Sequence, residues 1–202
     1  MAKKQVIKSK EIPKYLLKIF HDFKAELVGD FGRIKSESTK YNKELKKAEK
    51  DEELAEKKIA NHPIYKSINR KSMSSDYPKF TDEEREYMET DSGFKECKKA
   101  LKKQINIETK IRNDLVRRLK NGTATDKEKR KFENQEMWIH NDRRSDGQPT
   151  IHIDSTYSEV LSGELGYNLA DKYIEKLRKK LKPYGYDIEP YSDTRLDLYK
   201  DN

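Results

Sequence analysis

Three groups of side chains in this chain have the types and spacing to do chemistry. The first is a run of cations between Lys98 and Arg144. It contains Lys102, Lys103, Arg112, Arg117, Arg118, Lys120, Lys127, Arg130, Lys131, Arg143 and Arg144. Cations gathered this way neutralise phosphates and gain affinity by releasing counterions. The same charge also suits a solvated helical face or an acidic protein surface.

The second group is His140, Asp142, His152 and Asp154. His152 and Asp154 are two apart in an alternating segment, so a strand would present both on one face. Imidazole with carboxylate suits a divalent metal able to activate water for phosphodiester cleavage. Alternation also puts polar residues on the wet face of any half-buried strand, and that plainer reading is the stronger one here. The third group is Tyr184, Tyr186, Tyr191 and Tyr199 near the C-terminus. Such rings stack unpaired bases, form the hot spot of a protein interface, or cover a thin core. No P-loop, dinucleotide fingerprint, serine elbow or His-x3-His zinc pattern occurs, and no cofactor is expected.

The elements that must hold these groups follow from composition and periodicity. Of 202 residues, 33% are apolar and 41% charged, with a net charge of +8. So little apolar material fits long helices that bury a narrow seam. The 12 tyrosines and 6 phenylalanines argue against disorder. From about Glu11 to Ala60, Phe20, Leu27, Ile34, Tyr41, Ala48 and Ala55 fall seven apart. Leu17, Phe31, Leu45 and Ile59 make a patchier second row, as a coiled-coil seam requires. That seam can close within one chain or between two copies as a homodimer. Gly29 and Gly32 predict a bend or break within it.

Residues 61–80 read as a loop, with one helical turn near Tyr65 to Asn69. Thr81 with Glu84, and Thr125 with Glu128, match the capping box that opens a helix. Between them Phe94, Cys97, Leu101, Ile105, Ile111, Leu115 and Leu119 form a loose stripe ended by Asn121-Gly122. The second capped helix is expected to run to about Ile139, with Trp138 packing between body and tail. Thr150 to Asp154 alternates as a strand. A helix is expected from about Tyr157 to Lys182, and two strands around Ser192 to Thr194.

The expectation is a mainly α protein: a long helical hairpin or small coiled-coil-like bundle (1–145) with a small C-terminal β-α-β-β module (146–202). Residues 146–202 carry 8 Lys+Arg against 11 Asp+Glu, leaving 37 against 26 for the body. The single cysteine, Cys97, excludes an intramolecular disulfide. No run of about 18 apolar residues occurs, and no apolar h-region follows the basic start. A cytoplasmic protein with no membrane contact is expected. The leading function is a non-enzymatic binding protein whose basic body engages nucleic acid or a nucleic-acid-processing complex. The alternatives are a protein inhibitor or adaptor, of the kind mobile elements direct against host nucleic-acid enzymes, and a metal-dependent nuclease.

Overall fold

The computed structural model describes residues 12–141, 149–153, 157, 167–192 and 194–200. The helices are α1 (Lys14–Asp30), α2 (Asn42–Ile59), α3 (Pro63–Ser74), α4 (Asp82–Thr90), α5 (Ser92–Lys120), α6 (Asp126–Glu133) and α7 (Tyr167–Leu181). The strands are β1 (Trp138–Asn141), β2 (Pro149–His152), β3 (Tyr186–Ser192) and β4 (Arg195–Lys200). The protein is therefore mainly α with a small C-terminal sheet.

Two compact units divide these elements. One holds the described residues of 1–37 and of 114–202, and the other holds 38–113. The segment from 146 onward thus shares its unit with α1, α6 and the last turns of α5. In that unit Leu16, Phe23, Leu27 and Val28 of α1 join one hydrophobic cluster with Leu115 and Leu119 of α5. Tyr173, Leu177 and Leu181 of α7 and the inward residues of the sheet complete it.

Glycine sets where two of the helices stop. After α1, Gly32 takes φ 63°, Gly32 N–H bonds to Gly29 O and Arg33 N–H to Val28 O. After α5, Gly122 takes φ 70°, with the matching bonds from Gly122 to Leu119 and from Thr123 to Arg118. These paired bonds around a left-handed residue close orphan helix carbonyls, and glycine adopts that backbone without steric cost. The expected break near Gly32 is therefore present. It also means that no continuous coil spans residues 11–60. Leu27 and Ile34 of the heptad row are buried in one unit, and Ala48 and Ala55 in the other.

Both capping boxes form, on Thr81–Glu84 and Thr125–Glu128. Two expectations need correction. Residues 63–74 are a helix rather than loop, because Pro63 occupies the first turn, where its missing N–H has no partner to lose. Ile68 then buries on that helix. The second capped helix stops at Glu133, not near Ile139. Trp138-Ile-His instead alternates in exposure as β1, because pairing with β2 partly buries Ile139 opposite Ile151. The expected helix from Tyr157 is described over Tyr167–Leu181, with residues 158–166 outside the described set.

In the 38–113 unit, α2 meets the start of α5 tightly. A Cβ added at Gly93 would lie 2.6 Å from Cγ2 of Ile59, which is itself buried. Ile59 is β-branched and cannot swing away cheaply. Gly93→Ala should therefore cost about 1–3 kcal/mol of stability by overpacking. Urea denaturation followed by circular dichroism checks this, and an unchanged midpoint would show that the contact gives freely.

Candidate nucleic-acid interface

The four strands lie in the order β1-β2-β4-β3, all antiparallel. Residues directly opposite one another in such a sheet share a face. Ile139, Ile151 and Leu196 therefore form one cross-strand row, and it faces the core. One residue along, Trp138, His152 and Arg195 form the next row, on the opposite face.

This outer row is a run of π surfaces. The Trp138 ring stacks on His152 with centroids 4.1 Å apart and planes 21° apart. Arg195 is the register partner of His152. On the far side its guanidinium lies 4.5 Å from the centre of the Tyr191 ring. Tyr191 occupies a bulge: Pro190 pairs with Leu196 and Ser192 with Arg195, which leaves it without a partner on β4. Bulges re-aim side chains at sheet edges. Here the bulge brings the phenol ring under the arginine, so that all four strands contribute one member to the row.

The ends of the row are open to water: Trp138 is 46% exposed and Tyr191 70%. Large aromatic rings left wet at both ends of an ordered row are unusual for a face that serves stability alone.

The turn that delivers Trp138 is held from the core. Lys24 of α1 is buried and donates from Nζ to the carbonyls of Gln135 (2.8 Å) and Met137 (3.3 Å). It also sits 5.0 Å from the centre of the Phe132 ring. Burial pulls the pKa of this ammonium below its usual 10.5, outweighing the Glu133 carboxylate, which acts the other way. Tyr157 adds a hydrogen bond from its hydroxyl to Oε1 of Gln135, at 2.8 Å.

Carboxylates share the outer face toward β3. Asp197 is paired with Arg195 at 2.7 Å and Asp187 with Arg178 at 3.2 Å. Glu189, opposite Asp197, is exposed. At the other end β1 follows α6 after four residues. On α6, Arg130 and Lys131 are exposed and have no ion-pair partner among the described residues. Carboxylates thus gather toward β3, while Arg130 and Lys131 precede β1 in the chain, with the exposed Glu133 and Glu136 between them and it.

The cations singled out from the sequence part into distinct roles. Arg118 is structural: its guanidinium binds Asp114 (2.8 Å), both oxygens of Glu128, and Ser36 Oγ (3.0 Å). Arg117 pairs with Asp114, Lys120 with Glu26, Lys127 with Glu37 and Lys103 with Asp51. Arg112 is half-buried and has a partner of its own. Lys102 is exposed, on the part of α5 that belongs to the other unit. Arg143 and Arg144 lie outside the described residues. The structure thus sets Arg130 and Lys131 on one helix and ties up much of the remainder.

The tyrosines divide by face. Tyr186 is buried, and Tyr184 stacks on Tyr15 of α1 with centroids 4.4 Å apart. Tyr191 and Tyr199 are on the outer face, Tyr199 opposite Asp187. His140 and His152 share that face, and a ring nitrogen of His140 lies 3.3 Å from Oγ1 of Thr150. Asp142 and Asp154 lie outside the described residues. Among the described residues no three His, Cys, Asp or Glu side chains gather as a metal site would need.

Sequence reasoning missed Trp138 and Arg195 as members of a site. For Arg195 a signal was present, because Arg195-Leu-Asp-Leu alternates polar and apolar residues; Trp138-Ile139 are both apolar and carried none. Compared with family models, curated proteins and solved structures, the chain matches none. Among the described residues no helix is long and apolar enough to cross a membrane.

Proposed function

We propose that the protein binds single-stranded nucleic acid without catalysing a reaction on it. The outer sheet face supplies base stacking, and α6 supplies phosphate contacts. The observation that carries this reading is the Trp138–His152–Arg195–Tyr191 row, which is aromatic, partly cationic and exposed at both ends. Four strands at about 4.8 Å spacing make the row roughly 14 Å across, wide enough for two or three splayed bases. Stacking accepts any base, so broad sequence tolerance is expected. Stacking inside a duplex hides its base faces, so a duplex should bind less well.

Trp138 is the chain's one tryptophan, which makes its emission a direct reporter. An oligothymidine of about 12 nucleotides, within the usual site sizes for such surfaces, should quench that emission on titration. With about three phosphate contacts, affinity should fall roughly 10- to 20-fold between about 50 and 200 mM salt. Binding without any change in Trp138 emission would move the nucleic acid off the sheet. Equal affinity for a duplex would count against base stacking altogether.

A further inference from the structure

The 38–113 unit has a surface that the nucleic-acid reading does not use. Helices α2 and α5 run antiparallel there, as two ion pairs across them show: Lys103 to Asp51 at 3.0 Å and Lys58 to Glu96 at 2.9 Å. Seven residues separate the bridges on each helix, about 10 Å or two turns. Over this stretch the helices border an open groove of about 930 Å³.

Its chemistry is mixed in a directional way. Leu54, 51% exposed, is its main apolar surface, and the buried Ala55 and Ala100 form its floor. Five lysines line it against two carboxylates, both of which are already paired. Lys99 and Lys102 have no ion-pair partner among the described residues.

This unit is also short of core. The chain's largest fully buried side chains among the described residues all belong to the other unit. Leu54, Met73, Tyr77, Leu101 and Ile105 meanwhile stand exposed here. A helix pair with an apolar seam still open gains by laying a third amphipathic helix into it.

We infer that the α2–α5 groove docks an acidic amphipathic helix of a partner protein. The partner's apolar stripe would cover Leu54 above the floor that Ala55 and Ala100 form, and its flanking carboxylates would meet Lys99 and Lys102. Charge complementarity decides the sign of the partner, since the groove carries three more cations than anions. The apolar surface decides against a phosphate backbone, which would satisfy the lysines and leave Leu54 in water. This inference is independent of the sheet reading, because no residue is shared between the two surfaces.

The test uses the full chain and a fluorescein-labelled helical peptide of about 18 residues, five turns long. Its leucines repeat at three- and four-residue intervals and glutamate fills the other face. A control peptide has the same composition with the leucines scrambled. The patterned peptide should bind at least about 10-fold more tightly than the scrambled one. Lys99→Glu with Lys102→Glu should weaken it about 10-fold, and Leu54→Asn should weaken it several-fold. All three positions are exposed, and circular dichroism confirms that the variants fold. Trp138→Ala should leave peptide binding unchanged, which separates failure here from failure of the sheet reading. Equal binding of both peptides, or indifference to the groove variants, overturns the inference. So does a finding that the groove variants weaken oligothymidine instead, which would make the groove a phosphate surface.

Discussion

Arg118→Met is expected to lower the unfolding free energy by about 3–5 kcal/mol, the usual cost of removing one member of a buried charge cluster. Glu128 is fully buried and Asp114 nearly so. Glu128 also accepts hydrogen bonds from the backbone N–H groups of Glu37 and Thr125, each at 2.8 Å. One carboxylate therefore caps α6, anchors residues 36–37 and answers the guanidinium of α5. Without Arg118, two buried carboxylates lose their main counter-charge. Urea denaturation at neutral pH measures the loss, and a change under about 1 kcal/mol would mean that water reaches the cluster.

The pH dependence gives the same cluster a signature. Burial by itself would raise the Glu128 carboxyl. The Arg118 guanidinium and the two backbone N–H groups outweigh it and hold the pKa at about 2, against 4.5 for a free side chain. Because the folded-state value is depressed, the stabilisation is complete above the unfolded value. It is lost as pH falls from about 4.5 toward 2. The gap between the parent protein and Arg118→Met should narrow over that window. The result also bears on how binding is probed: reversing Arg117 and Arg118 together would unfold the protein before it tested any phosphate contact.

Trp138→Ala should weaken oligothymidine binding roughly 10- to 100-fold, since base–aromatic stacking is worth about 1–3 kcal/mol per base. The side chain is nearly half exposed and contributes its ring mainly to the outer row, so thermal stability should change little. Trp138→Phe should retain most of the affinity, because a smaller π face remains. Fluorescence anisotropy of labelled oligothymidine reads both variants. An unchanged affinity in Trp138→Ala, with binding abolished by Arg130→Glu plus Lys131→Glu, would leave α6 as a phosphate surface and end the stacking reading.

The sequence by itself determined the local decisions, because each depends on neighbours in the chain. Both capping boxes, the stop at Asn121-Gly122, the break after Asp30 and the hairpin of β3 and β4 follow from residue types within a few positions. The helical class followed from a thin apolar supply set at helical spacing. Tertiary structure decided the rest. Nothing in the run from Lys98 to Arg144 says that Arg118 is spent inside the fold. Its partners Ser36 and Glu128 come from distant or separately capped segments, and only packing brings them together. Residues 138–141 carry too few apolar positions to declare a strand, and β2 supplies the hydrogen bonds that make them one. The outer row needs one residue from each of four strands, with register fixed to the single residue and a bulge at Tyr191. Register is a property of pairing between segments, so a linear reading could find the aromatic residues and not the surface they form.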